Sequence, residues 1–369
     1  MIAWFLRERG FDGEIVVVER DPSYEFSSTA RSAASIRTQF GCRVNVELSL
    51  FGLAFLRGVP QRWGADLGFV ERGYLILGDN DQVTARRAAR DMQRAHGAKV
   101  EELTPAELRA RYPWLSLQDV AMATLGEGEG WFDAWALLQA ARRGAIQHGA
   151  RFISSEACGV TIANGRLRSV RLSGGEEIVA DWCVNAAGAL SGRVATWVDL
   201  PLPIVPKKRT GFHFKGPLDA SDMPMLFDLS GAWMRPEGDG FIGGVAPDAA
   251  HDPDAEGDFE PQHALFEDRL WPILATRAPA LEQVRLLRSW AGHYDMNLFD
   301  HNAFIGPHPD IPNVLFACGF SGHGVMHAPG AGRGVAEWIT SGGYQSLDLS
   351  DLGVERFTSG RPLVEDSIY

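Results

Sequence analysis

Glu14 to Glu19 reads EIVVVE, an apolar run of β-branched residues closed by an acid. Such a run has no polar face to give to water, so it reads as a buried strand of the kind that helices cover. Residues 2–9, IAWFLRER, read as a helix that Gly10 stops. Helix, short turn, apolar strand and terminal acid make the second half of a dinucleotide-binding βαβ unit, where the acid accepts hydrogen bonds from an adenosine ribose. The alternative is any α/β unit whose strand happens to end in glutamate. A strand and G-x-G-x-x-G should precede the helix, and neither is present. Gly330, Gly332 and Gly334 offer G-x-G-x-G, but at or within a helix and with no acid-ended strand at the right distance after them. Either the start is assigned roughly 15–20 residues late, which is the expectation, or the site is maimed. In a doubly wound sheet the missing strand is central, and its loss leaves its neighbours unpaired.

A second constraint lies at Val314 to Ile339, VLFACGFSGHGVMHAPGAGRGVAEWI. An apolar strand-type run leads into Gly319, Gly322 and Gly324, which free the backbone to turn and to approach a ligand closely. Pro329 suits the first turn of a helix, and Val335, Ala336 and Ile339 give that helix a buried face. Free N–H groups and a positive dipole end then point at the loop, favouring an anion or an electron-rich ring edge. A tight turn before a packed helix is the plainer reading.

At 369 residues the chain fits about two domains, and its 45% hydrophobic and 22% charged content is that of a soluble globular protein. A net charge of −12, with arginines scattered rather than striped, argues against nucleic acid. No apolar run reaches the roughly 18 residues of a membrane span. Cys42, Cys158, Cys183 and Cys318 show neither metal spacing nor a disulfide pattern, which points to a reducing, cytoplasmic compartment and to no metal site. Arg7, Glu8 and Arg9 interrupt the first apolar run, so it does not read as a signal peptide.

In chain order, 27–40 reads as a small, polar loop in which Arg31 could offset a pyrophosphate, or as plain surface. Helices follow at 44–56 and 81–96, a capped helix starts at Thr104-Pro105, and Asp133 caps another that runs to His148. Strands are read at 68–77, 121–125, 151–162, 166–172, 177–179 and 182–186, with Asn164-Gly165 and Gly174-Gly175 as hairpin turns. Pro201, Pro203 and Pro206 mark a crossing between domains. Antiparallel strands follow at 209–214, 225–229, 232–235 and 240–245, then a helix at 261–276 and a strand at 284–294. The fold class is α/β: a discontinuous Rossmann-like domain (1–43, 133–203, 295–345) and a mixed, mainly antiparallel domain (44–132, 204–294), with a tail at 346–369.

IVVVERD, SSTARSAASIR, VNAAGALSG and GFSGHG, in that order, resemble the flavoprotein family of D-amino acid, glycine and sarcosine oxidases across essentially the whole chain. The likeness is nearest to FAD-dependent oxidoreductase domain-containing proteins, one of them a mitochondrial protein linked to assembly of respiratory complex I. The resemblance implies FAD, bound by a Rossmann-type domain and roofed by an antiparallel sheet. It places Glu19 on the adenosine ribose, and Ser28, Thr29, Arg31 and Ser32 along the pyrophosphate and ribityl chain. Val160 meets the adenine, and Ala187 and Gly188 let the cofactor pass. Gly319, Ser321, Gly322, His323, Gly324 and Val325 face the flavin pyrimidine edge, which gains negative charge on reduction. A helix N-terminus beyond that edge stabilises the reduced form.

Arg37 falls where sarcosine oxidases hold a substrate carboxylate, a task that suits a guanidinium fork, though a surface ion pair is the alternative. His323 and His327 are candidates for proton transfer or for a structural role, and His293 and Tyr294 are lesser ones. Three departures from the sarcosine oxidase pattern stand out. Ile242 replaces an oxygen-activating lysine, Gly292 replaces the flavin-attaching cysteine, so FAD is expected to be non-covalent, and Met326 replaces a second lysine. The expected enzyme is an FAD-dependent oxidoreductase that oxidises the C–N bond of a small amine or amino acid by transfer to flavin N5. Oxygen or an electron carrier is the acceptor. A flavin-binding assembly scaffold with little turnover is the alternative.

Overall fold

In the computed structural model, which describes residues 1–366, the chain opens with helix α1 (Ile2–Glu8), strand β1 (Val16–Glu19), the short β2 (Ser35–Ile36) and α2 (Arg43–Arg57). Next come α3 (Val59–Trp63), β3 (Tyr74–Gly78), α4 (Val83–Ala95), β4 (Val100–Leu103), α5 (Pro105–Arg111), β5 (Met122–Gly126) and β6 (Gly130–Trp131). After α6 (Ala134–Gln147) run β7 (Arg151–Ser154), β8 (Ala157–Ala163), β9 (Arg166–Leu172), β10 (Glu177–Val179), β11 (Cys183–Asn185) and α7 (Ser191–Ala195). The remaining strands are β12 (Ile204–Lys215), β13 (Met225–Phe227), β14 (Trp233–Glu237), β15 (Gly240–Gly244), β16 (Arg285–Asn297), β17 (Phe304–Pro307) and β18 (Val314–Cys318). Between β15 and β16 lies α8 (Trp271–Arg277), and α9 (Gly324–Ser341) follows β18.

Two kinds of sheet result. The parallel pairs are β1 with β7, in register from Val16 opposite Arg151, and β11 with β18, from Cys183 opposite Val314. β17 closes the second piece in antiparallel fashion. Among the described residues no strand joins these two pieces, so β1 and β11 each present an unpaired edge. The doubly wound sheet is therefore split where its central strand was expected. Helix α9 packs against α1 and α2, burying Trp4, Phe5, Leu53, Phe55 and Ala336 in a common core.

The other sheet has eight strands in the order β16-β12-β15-β14-β13-β3-β5-β4, antiparallel except for the β13·β3 pair. Alternation divides its faces. Leu75, Leu77, Phe212, Phe214, Leu226, Met234 and Phe241 bury against Phe266, Leu270 and Leu274. Tyr74, Ile76, Met225, Phe227 and Trp233 form the opposite face, against Trp131 of β6.

Four expectations change. Helix α9 starts at Gly324, so Pro329 lies inside it rather than in the first turn. The loop has already completed its turn with positive φ at Ser321 (49°) and Gly322 (96°), so the helix begins at once and Pro329 forgoes one intrahelical bond. Pro206 does not break the chain, because β12 runs through it paired with Asp295, at a point where β15 does not flank β12 and no ladder donor is needed. Residues 151–162 form two strands, since β7 follows β1 while β8 pairs with β9. The helix expected at 261–276 is a wide turn at Phe266–Leu270 running into α8.

Candidate functional site

β18 delivers the loop 319–323, and its shape is unusual: Gly319, Ser321 and Gly322 all have positive φ. Such a turn needs support, and β16 provides it. Asp295 Oδ2 accepts from Gly319 N (2.8 Å) and Phe320 N (3.0 Å). The Asp295 carbonyl accepts from Ser321 N at 3.1 Å, and Ser321 Oγ accepts from Asn297 N at 3.0 Å. The Tyr294 ring lies so close to Gly322 that a Cβ there would be 2.5 Å from it, so only glycine fits. Burial pushes the Asp295 carboxyl up to about 6, against the lowering effect of the two amides.

Beside this loop sits Arg37, just past β2 and only 3% exposed. Its Nη1 donates to the Gln39 carbonyl, and its guanidinium lies 3.8 Å from the centre of the Phe40 ring. Glu129, fully buried, holds the next two residues: it accepts from Thr38 N (2.6 Å), Thr38 Oγ1 (2.5 Å) and Gln39 Nε2 (2.9 Å). Desolvation raises the Glu129 carboxyl, with these hydrogen bonds pulling the other way. Arg235 secures the same segment from the roof sheet, donating to the Ala33 carbonyl at 3.0 Å next to Ala34, whose φ is +54°. Burial raises the Tyr74 and Tyr294 hydroxyls, while Arg37 lies near enough to both to oppose the shift. Both phenols therefore stay protonated at neutral pH.

His323 caps α9, its ring edge-on to Phe40 at 4.9 Å. His327, 5.8 Å further in, bonds Ser49 Oγ through Nε2 at 3.0 Å, and burial drives its pKa well below the usual value. A neutral imidazole tied to α2 is a packing element behind the site rather than a group facing it.

The remaining candidates lie along one path. At the end of β1, Glu19 Oε1 accepts from Asp21 N at 2.9 Å, and Oε2 makes no hydrogen bond among the described residues. The loop after β1 folds onto β16: Ser28 Oγ donates to the His293 carbonyl (2.6 Å) and Ser32 Oγ to the Thr29 carbonyl (3.0 Å). Arg31 lies between the Phe26 and Phe259 rings, at 4.6 and 5.0 Å, and donates to Glu25 and Ala291 carbonyls. Val160 is half-buried in β8, opposite Val170. Ala187 and Gly188 follow β11, and Gly188 (φ 55°) has open space where a side chain would stand. Gly324 and Val325 open α9. His293 is buried, stacked on Phe259 at 4.1 Å, with Nε2 at 2.7 Å from the Asp258 carbonyl.

A cavity of about 50 Å³ lies between this loop and the roof, lined by Ser28, Arg31, Arg209, Trp233, Gly292 and Tyr294 among others. A larger cleft, about 810 Å³, sits at the far edge of the sheet against β4. Its Arg111–Glu101 and Lys99–Glu127 pairs neutralise one another and none of the groups above borders it, so size alone does not mark the site.

The structure thus brings together Arg37, His323, Tyr294 and the 319–325 loop, and sets His327 one layer back. Sequence reasoning passed over Asp295, Glu129, Tyr74 and Arg235. A carboxylate inside the strand GHYDMN was the available signal for Asp295, since a charge in a buried strand requires partners. Among the described residues no cluster of metal-ligating side chains occurs, and no helix is long and apolar enough to cross a membrane.

Comparison with known proteins places residues 1–338 in the family described as FAD dependent oxidoreductase. The chain is 37% identical over 394 residues to FAD-dependent oxidoreductase domain-containing protein 1 of Xenopus laevis, a match spanning 96% of this chain and 79% of the relative. Identity to mitochondrial sarcosine dehydrogenase of Mus musculus is 23% over 317 residues, 82% of this chain and 34% of that one. Among solved structures, L-proline dehydrogenase from P. horikoshii has a TM-score of 0.86 at 27% identity, covering 98% of this chain and 95% of the other.

Proposed function

We propose, for a chain that belongs to the DAO family of FAD-dependent oxidoreductases, that it oxidises the C–N bond of a small amine or amino acid carrying a carboxylate. The observation that carries this reading is Arg37, a buried guanidinium set by Glu129 and Arg235 beside the glycine loop. A rigid, desolvated guanidinium suits a planar carboxylate and fixes which substrate C–H points at the cofactor. When bound, FAD supplies the two-electron acceptor at N5.

The residues fit that cofactor at both its ends. Glu19 keeps Oε2 for a ribose hydroxyl, and Gly188 leaves the path beside β11 clear. The 319–325 loop opens an 18-residue helix whose dipole end favours negative charge on the pyrimidine ring. Gly292, in the slot of the attaching cysteine of sarcosine oxidases, offers no thiol, and a Cβ there would stand 3.0 Å from Arg31 Cβ, which supports non-covalent binding.

The chain's own work is placement. Arg37 and the Tyr294 hydroxyl present donors to a carboxylate, and the face bearing Tyr74 and Phe227 excludes water. The test is anaerobic reduction of the FAD-loaded protein by a panel of N-methyl, cyclic secondary and primary amino acids. Bleaching by at least one carboxylate-bearing amine supports the reading, and no bleaching by any of them counts against it.

A second reading, a flavin-holding scaffold with little turnover, draws on Ile242. This residue lies opposite Arg235 on β14 and His213 on β12, on the face of β15 shared with both, where a lysine would serve oxygen chemistry. Tight FAD with no substrate reduction and a stable protein partner would favour it.

A further inference from the structure

The glycine loop has a charged support that the reading above does not use. Asp295 sits on β16, directly behind the turn, 8% exposed. Both Gly319 N and Phe320 N donate to the same oxygen, Oδ2, and the Asp295 carbonyl takes Ser321 N. Three of the loop's amides are therefore turned inward to Asp295 instead of outward to a ligand. Among the described residues no lysine or arginine pairs with this carboxylate. The charge acts on its neighbours, since it helps to raise the Cys318 thiol. Arg209, the nearest guanidinium along β12, is committed to Asp252 at 2.9 Å, and Arg356 to Asp300 at 2.7 Å.

Two fields then meet at the loop. The α9 N-terminus favours negative charge on a ring edge held there, and a buried, unpaired carboxylate one residue layer behind disfavours it. We propose that Asp295 is a positioning residue that shapes the 319–322 turn and, through its charge, lowers the two-electron reduction potential of the flavin that turn holds. This rests on the reading that the loop meets the flavin pyrimidine edge. Reduction places negative charge on that edge, so a fixed anion nearby makes the reduced cofactor a stronger donor to its acceptor. Because one oxygen takes both amides, an asparagine carbonyl can keep the geometry while the charge is lost.

The experiment compares FAD-loaded wild type with Asp295→Asn, Asp295→Thr and Asp239→Asn, each equilibrated against a reference redox dye. The expected result for either Asp295 variant is an approximately tenfold rise in the reduced-to-oxidised ratio at fixed dye ratio, about 30 mV for a two-electron couple. Asp239→Asn removes an exposed carboxylate that pairs with Lys215 at the outer end of the roof sheet, and its ratio stays within about twofold of wild type. Asp295 variants that hold FAD at an unchanged potential overturn the proposal, whatever happens to their thermal midpoints. So does failure of both Asp295 variants to hold FAD, since a charge that tunes the reduced state is dispensable for keeping the oxidised one. Wild type that takes up no FAD refutes the site reading itself, a separate failure visible before any variant is compared.

Discussion

At the scale of single residues, charge and its partners decide what each group can do. Arg37 was a candidate only through the family resemblance, which puts it where sarcosine oxidases hold a substrate carboxylate; its own neighbourhood read equally as a surface ion pair. Its supports, Glu129 and Arg235, lie 92 and 198 positions away in sequence, and no local pattern links them to it. Arg37→Met should raise KM for a carboxylate-bearing substrate about 100-fold, with a much smaller effect on an amine that lacks the carboxylate. Steady-state kinetics on such a pair check this. Asp295 makes a second prediction. Its native pKa, about 6 against 3.8 for the free residue, means that the native state binds the proton more readily than the unfolded chain. Its ionisation therefore costs stability, a cost absent at low pH and fully present above about pH 6. Wild type should gain on Asp295→Asn by about 1.4 kcal/mol as pH falls from 8 to 5. Denaturant unfolding of both proteins at the two pH values measures the difference.

At the scale of elements, sequence periodicity located most helices and strands, because apolar faces and caps act locally. Thr104 and Glu107, for example, form the reciprocal cap their spacing announces. It misplaced the start of α9 because Pro329 is a good first-turn residue, while the true start was set by the loop's own left-handed residues. It missed the role of the chain after α9, where Glu365 is completely buried. The Glu365 carboxylate accepts from Gly41 N (2.9 Å), Cys42 N (3.1 Å) and Asn45 Nδ2 (2.9 Å), so it serves as the cap of α2 from 320 residues away. No short-range rule finds a cap delivered from that distance. Glu365→Ala leaves three donors, two of them buried, without this acceptor and should cost roughly 2–4 kcal/mol, read as a lowered denaturation midpoint. Glu365→Gln should recover part of it.

At the scale of the whole molecule, the fold class was readable because the order of weak motifs is itself informative: acid-ended strand, small polar loop, buried strand closing on Ala187-Gly188, then glycine loop and helix. What the motifs could not show is how two separate sheets share one cavity, since Tyr294 and Asp295 belong to the roof strand β16 yet pack against the loop at the end of β18. The oxygen question also belongs here, because it turns on a roof residue facing the cofactor domain. Ile242→Lys should speed reoxidation of reduced FAD by oxygen at least about tenfold if the slot controls that step, by placing a cation where charge develops. Stopped-flow mixing with aerated buffer reads it. An unchanged rate would assign the slow step elsewhere.

The central claim is that Arg37 and the glycine loop frame a working amine-oxidising flavin site. Anaerobic titration of the purified, FAD-loaded protein with carboxylate-bearing amines, followed by the flavin absorbance band, tests it most directly. The account predicts bleaching by at least one of them, and loss of that bleaching at the same substrate concentration in Arg37→Met. A protein that holds FAD and is not reduced by any of them, or an Arg37→Met variant reduced as readily as wild type, would contradict it.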